Sequence, residues 1–89
     1  MRLTELEKTI LLAFLVITKG SIDVYLKEDD ITSKFAMRKR KLVRISLERL
    51  RKQGFLKKHP RKKEYKFTKN GIKSASVVLS EGARLWGMG

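Results

Sequence analysis

The chain has 89 residues, with 22 Lys and Arg against nine Asp and Glu, and its formal net charge is +13 at pH 7. This length fits a single domain over residues 1–89, which buries only ~60 % of its unfolded surface and therefore depends on efficient helix packing or on a second subunit. The absence of Cys excludes disulfides and thiolate metal sites, and an apolar content of 42 % argues against disorder.

The first predicted element is a helix over about residues 4–18. Thr4 and Glu7 have the spacing of a capping box, in which each side chain accepts a hydrogen bond from the other residue's backbone N–H. Gly20 follows where a left-handed helix terminator is expected. The second half, Ile10–Ile17, is apolar on all sides, which indicates either a central position in the core or a surface shared with another subunit, and the small size of the domain favours the second. It is far shorter than the ~20 residues that cross a bilayer, and the acids before it do not fit a signal peptide.

The next segment is ambiguous. Ile22, Val24 and Leu26 alternate with polar residues, which favours a short strand or an extended linker. The same residues would also fit the beginning of a longer helix capped by Asp23. Three consecutive acids then favour the first turn of a second helix over about residues 28–35, because acids stabilise the positive end of the helix dipole.

A third helix is predicted over about residues 38–53. Val43, Leu47 and Leu50 lie at i, i+4 and i+7, so they form one apolar stripe, and most other positions are basic. The segment Arg38–Lys66 holds fourteen basic residues and two acidic ones, which is nearly all of the net charge. Such a concentration of charge is typical of a protein with a polyanionic partner.

A β-hairpin is predicted over about residues 55–67, from the strands Phe55–Lys58 and Glu64–Phe67. Its loop contains Pro60, which needs no ladder hydrogen bond there. Tyr65 and Phe67 are two residues apart, so their rings lie on the same face of the sheet and are expected in the core.

The last predicted element is a helix over about residues 69–80. Thr68 fits its N-cap, and Gly82 fits its end. In the tail that follows, Trp86 is expected to pack against the first helix or against a partner subunit.

Two segments carry a family resemblance. In VRISLERLRKQGFL (Val43–Leu56), an aliphatic residue is followed four and seven residues later by Leu, and then by Gly and two apolar residues. In YKFTKNG (Tyr65–Gly71), an apolar strand runs into Thr-x-x-Gly, with Phe67 in place of the usual Leu. These segments resemble the recognition helix and the end of the wing in winged-helix regulators of the MarR, ArsR and PadR kind.

The resemblance implies a mainly α fold with a small β-hairpin (α+β), namely a winged helix-turn-helix with a three-helix core, a wing and a C-terminal helix. Three helices followed by a basic hairpin also have the order of that fold, in which the third helix enters the major groove of DNA. Where the family usually offers Ser, Thr or Gln, the first turn of this helix has four cations, which favour phosphate contacts over base readout. The predicted DNA-binding residues are Arg38, Lys39, Arg40, Lys41, Arg44, Ile45, Glu48, Lys58, His59, Arg61, Lys62 and Lys63.

The leading interpretation is a transcriptional regulator that binds duplex DNA, forms a homodimer through the first and last helices, and is cytoplasmic and associated with the nucleoid. Three alternatives stay open: a non-specific architectural DNA-binding protein, an RNA or ribonucleoprotein component, and a basic module for an acidic protein. No nucleophile or glycine loop accompanies the acids Glu28–Asp30, and His59 is the single His. We therefore predict no enzyme, catalytic residue, metal site or cofactor, and neither a membrane nor a small molecule as partner.

Overall fold

The computed structural model describes the backbone of residues 3–88 and the side chains of residues 3–81. This part of the chain is mainly helical with a small antiparallel sheet, which confirms the predicted α+β class. In chain order the elements are α1 (Glu5–Thr18), β1 (Leu26–Lys27), α2 (Glu28–Thr32), a 3₁₀ turn (Met37–Lys39), α3 (Arg40–Lys52), β2 (Leu56–Lys58), β3 (Glu64–Phe67) and α4 (Lys69–Met88). None of the described helices is both long enough and apolar enough to cross a membrane.

Helix α1 begins with the predicted capping box. The N–H of Thr4 donates to Glu7 Oε1 at 2.8 Å, and the N–H of Glu7 donates to Thr4 Oγ1 at 3.1 Å. The helix is terminated by Lys19, whose φ of 55° is left-handed, and Gly20 continues with a φ of 79°. The apolar surface of α1 is only partly buried. The side that faces the core is covered, whereas Val16 is 75 % exposed.

The sheet has three strands in the order β1-β3-β2, all antiparallel. Leu26 is paired with Tyr65, and Leu56 is paired with Phe67. The alternative of a long helix beginning near residue 22 is therefore wrong. Residues 21–25 form an irregular linker in which Ile22 and Val24 are exposed, and only Leu26–Lys27 form a strand. The four paired side chains are buried, so they define the inner face of the sheet.

Three helix boundaries differ from the prediction. Helix α2 ends at Thr32 rather than near residue 35, because the N–H groups of Lys34 and Phe35 bond three residues back, as in a 3₁₀ turn. Likewise, α3 begins at Arg40 and not at residue 38, because Met37–Lys39 form a 3₁₀ turn in which the N–H of Lys39 donates to the carbonyl of Ala36. Helix α4 continues past Gly82, since a helical Gly costs only ~1 kcal/mol. The packing predicted for Trp86 lies outside the described side chains.

The core lies where α1, α3 and the inner face of the sheet meet. The stripe Val43, Leu47 and Leu50 is fully buried, as the helical spacing predicts. From the sheet, Phe67 meets Phe14 of α1 with ring centroids 5.4 Å apart. Helix α3 is thus fixed on one side, and its opposite side faces outward.

The first turn of α4 approaches the end of α3 very closely. Thr68 donates its hydroxyl to the carbonyl of Gly54 at 2.6 Å and accepts from the N–H of Gly71 at 3.0 Å, which makes it the predicted N-cap. A Cβ on Gly71 would lie 1.9 Å from the carbonyl oxygen of Phe55. Glycine is therefore required here by the close approach of two backbones.

Candidate nucleic-acid interface

The outward side of α3 is basic. Lys41, Arg44, Arg49 and Lys52 are all exposed on it, opposite the buried stripe, and we call these four residues the basic face of α3. Ile45 lies among them and is 47 % exposed, as its helical position predicts. Lys41 and Arg44 are three positions apart, as are Arg49 and Lys52, and the two pairs together cover the outward side of the helix.

A second group of cations lies in the loop between β2 and β3. Residues 59–63, which we call the basic loop, include Arg61, Lys62 and Lys63, all exposed. The N–H of His59 donates to the carbonyl of Glu64 at 2.8 Å and closes the loop. His59 Nδ1 accepts from the N–H of Arg61 at 3.1 Å, which holds the imidazole against the loop backbone.

Glu28 joins the two groups. Its carboxylate Oε1 lies 3.2 Å from Arg44 Nε on α3, and its backbone N–H donates to the carbonyl of Lys63 at 2.8 Å. One residue of α2 therefore connects the basic face of α3 with the basic loop. The Arg44 side chain remains 49 % exposed, while that of Glu28 is only 13 % exposed. The Arg44 guanidinium is thus positioned by a largely buried carboxylate and remains accessible to solvent.

Glu48 forms a second link, between α3 and the sheet. Its Oε1 accepts from Arg51 Nη2 at 2.8 Å and from Arg51 Nε at 3.1 Å, and its Oε2 accepts from the hydroxyl of Tyr65 at 2.9 Å. The hydrogen bonds from Arg51, with that from Tyr65, lower the pKa of the Glu48 carboxyl to about 2 against the opposing effect of burial. Burial and the bond to Glu48 raise the pKa of the Tyr65 phenol. Both carboxylate oxygens are therefore engaged within the protein.

The Glu48 link predicts a specific pH dependence of stability. Because the folded-state pKa is depressed below the usual 4.5, the contribution of Glu48 is complete above about pH 4.5 and is lost as the pH falls towards 2. Glu48→Gln should lower Tm at neutral pH, and the difference from the wild type should shrink across that window. Thermal unfolding followed by circular dichroism from pH 7 to pH 2 measures it.

Glu5→Gln is the matched control, because the Glu5 side chain is 93 % exposed and its ion pair with Lys8 lies on the surface. Its Tm should follow that of the wild type at each pH. A constant difference between Glu48→Gln and the wild type down to pH 2 would contradict the role given to the Glu48 carboxylate.

The remaining predicted DNA-binding residues lie around these two groups. Arg38 and Lys39 are exposed in the 3₁₀ turn before α3, whereas Arg40 is only half-exposed. The Nε of Arg40 is buried and has no hydrogen-bond partner in the described part of the chain. Lys58 is exposed at the end of β2, with its Nζ 5.9 Å from the centroid of the Tyr65 ring.

Sequence reasoning missed Arg49 and Lys52. The positions transferred from the family resemblance end at Glu48, but both residues share the exposed side of α3 with Lys41. The signal was present in the sequence, because they lie eight and eleven residues beyond Lys41, which is two and three helical turns. They extend the basic face towards the end of the helix.

A groove of about 380 Å³ runs beside the basic face. Arg44, Arg49 and Lys52 line it from α3, and Lys58 and Tyr65 line it from the sheet. Across residues 3–81 no group of three His, Cys, Asp or Glu side chains is placed to hold a metal ion. Comparisons of the chain with protein-family models, with curated proteins and with solved structures find no match. The function is therefore inferred from the site itself.

Proposed function

We propose that this protein is a winged helix-turn-helix transcriptional regulator that binds duplex DNA. Helix α3 enters the major groove, and the basic loop at the tip of the β2–β3 hairpin, which is the wing, contacts the phosphate backbone. The observation that carries the proposal is the continuity of the basic face of α3 with the basic loop through Glu28. Three helices followed by a basic hairpin support the same assignment, because a helix presented beside a second backbone contact is how this motif docks.

The charge of this surface favours a polyanion. The two carboxylates nearest to the basic face each pair with an arginine, Glu28 with Arg44 and Glu48 with Arg51. The lysines of the face and the cations of the basic loop form no ion pair within the described residues. Duplex DNA carries one negative charge per ~1.7 Å of its axis, so it can neutralise such a surface along its whole length.

Two residues of α3 are proposed to read bases. Arg44 is oriented by Glu28, and an Arg that donates to guanine O6 and N7 discriminates against other bases by ~1–3 kcal/mol. Ile45 is exposed beside it and supplies an apolar contact for a thymine methyl group. Arg38 and Lys39, in the turn before α3, contact phosphates and set the orientation of the helix.

Two alanine variants separate base readout from phosphate contact. Arg44→Ala should weaken binding to a selected sequence by ~1–3 kcal/mol more than binding to random DNA. Lys62→Ala should weaken binding to both about equally and reduce the salt dependence by about one counterion. Fluorescence anisotropy of the two labelled duplexes measures these effects, once a preferred site has been selected from a random pool.

Lys69→Ala is the control, since Lys69 is exposed at the beginning of α4, outside both basic groups and two helical turns from Val77. It should leave binding to either duplex nearly unchanged. Equal losses for Arg44→Ala and Lys62→Ala on every sequence would show that Arg44 reads no base.

A non-specific architectural role is the second candidate. It is favoured by the four consecutive cations Arg38–Lys41, which lie at the positive end of α3 and are best neutralised by phosphates. Full competition by random DNA would select this role over sequence-specific regulation. Stronger competition by structured RNA than by duplex DNA would instead identify a ribonucleoprotein component.

We further propose that the protein binds DNA as a homodimer through α1 and α4. Both helices leave apolar side chains uncovered, with Val16 at 75 % exposure on α1 and Val77 at 56 % on α4. A twofold dimer would place two copies of α3 in half-sites about one helical turn apart. Analytical ultracentrifugation should show a dimer at micromolar concentrations, and a monomer throughout would exclude it.

A further inference from the structure

A second cluster of cations lies on the outer face of the sheet. Side chains alternate between the two faces of a strand, and Leu56, Tyr65 and Phe67 are buried on the inner face. Lys57 and Lys66 therefore lie on the outer face, where they are direct cross-strand partners.

The pairing of Lys57 with Lys66 is unfavourable by itself. Like charges directly opposite one another destabilise a sheet. Within the described residues, neither lysine has a carboxylate oxygen within 4.0 Å of its Nζ. A bound anion would relieve this repulsion and would contact both ammonium groups.

Tyr25 orients one of the two lysines. The Nζ of Lys66 lies 4.9 Å from the centroid of the Tyr25 ring, as in a cation–π contact. The ring of His59 meets the Tyr25 ring at 5.1 Å and an interplanar angle of 68°. Because Lys66 covers the Tyr25 ring, base stacking on that ring is obstructed. The cluster therefore fits a phosphate backbone better than the unstacked bases of a single strand.

The outer face points away from the basic face of α3. Helix α3 contacts the inner face, where Glu48 accepts from the Tyr65 hydroxyl and Leu47 is buried in the same core. A duplex bound along α3 consequently leaves Lys57 and Lys66 unoccupied. The basic face of α3 and the two lysines thus lie on opposite sides of the sheet, and the basic loop lies at the end of the hairpin, where His59 contacts Tyr25.

We propose that the outer face of the sheet, formed by Tyr25, Lys57 and Lys66, binds the phosphate backbone of a second DNA duplex. One copy of the protein would then bridge two duplex segments, one on α3 and the basic loop and the other on the sheet. This inference rests on the proposed binding of the first duplex by α3, and it adds a second partner surface.

A two-duplex capture experiment tests the inference. A biotinylated duplex is fixed on beads, the full chain is added, and retention of a fluorescent second duplex is measured. The wild type should retain the second duplex. Lys57→Gln/Lys66→Gln should reduce retention to the level without protein, while its affinity for a single duplex stays within about twofold, since neither lysine belongs to α3 or to the basic loop.

Lys19→Gln/Lys69→Gln removes the same charge from exposed positions outside the sheet and should keep full retention. Circular dichroism establishes that both double variants are folded. Retention by Lys57→Gln/Lys66→Gln at the wild-type level would overturn the inference and would indicate bridging by two copies, each with one duplex. Binding of the first duplex without retention of a second by the wild type would also overturn it and leave the proposed function intact. Absence of binding to either duplex would refute the proposed function and the inference together.

Discussion

Raising the salt concentration from 50 to 200 mM is expected to weaken binding of duplex DNA by ~10³–10⁵-fold, if six to ten phosphates are contacted. The expectation follows from the number of cations that α3, the turn before it and the basic loop present to one partner. Each neutralised phosphate releases condensed counterions, so the logarithm of the association constant falls by ~0.9 per contact for each unit of log salt.

Fluorescence anisotropy of a labelled duplex, titrated with protein at several salt concentrations, gives this slope. A triple variant of the basic loop, Arg61→Gln/Lys62→Gln/Lys63→Gln, should reduce the slope by roughly three contacts. Binding that is nearly independent of salt would contradict a phosphate-driven interface. An unchanged slope in the triple variant would remove the basic loop from it.

Gly71→Ala is expected to destabilise the protein by ~3 kcal/mol or more. This loss is at or above the largest values usual when an extra methyl group is inserted into a well-packed site. The added Cβ would lie 1.9 Å from the carbonyl oxygen of Phe55 and 2.9 Å from the Phe67 ring. The first of these atoms is backbone, so α4 has to move away from the end of α3. That movement also disturbs Thr68, which holds both segments through its hydroxyl.

The sign of this effect is informative, because helix propensity alone predicts the opposite result. Gly to Ala within a helix is ordinarily stabilising by ~0.8–1.0 kcal/mol. Urea unfolding, with the midpoint and the m-value both measured, determines which effect dominates. Asn70→Ala, at the exposed neighbouring position, should change stability by no more than ~0.5 kcal/mol. A midpoint for Gly71→Ala at or above that of the wild type would show that the close approach is not maintained in solution.

Much of the fold could be predicted because its signals are local. The spacing of Val43, Leu47 and Leu50 placed the buried side of α3, and the pair Thr4 and Glu7 placed the beginning of α1. Both signals act within one or two helical turns, so they can be read along the chain. The alternation around Leu26 was read as a possible strand, but its partner was not identified, since pairing with β3 joins residues almost forty positions apart.

The same distinction applies to the candidate interface. The cations could be found from the sequence, but the contacts that arrange them could not. Arg44 is held by Glu28, and Glu48 is held by the hydroxyl of Tyr65, seventeen residues away. The acids at the beginning of α2 were interpreted only as stabilising that helix, because nothing in their local pattern indicates that Glu28 meets both α3 and the basic loop.

The most direct test of the account is to map the surface that contacts duplex DNA. Backbone amide chemical shifts of the isotope-labelled protein would be followed by NMR while a short duplex is added at low salt. We expect the largest changes on α3 and on the basic loop, residues 59–63, with Lys41, Arg44 and Lys62 among them. Changes confined to α1 and α4, or no change at all, would contradict it.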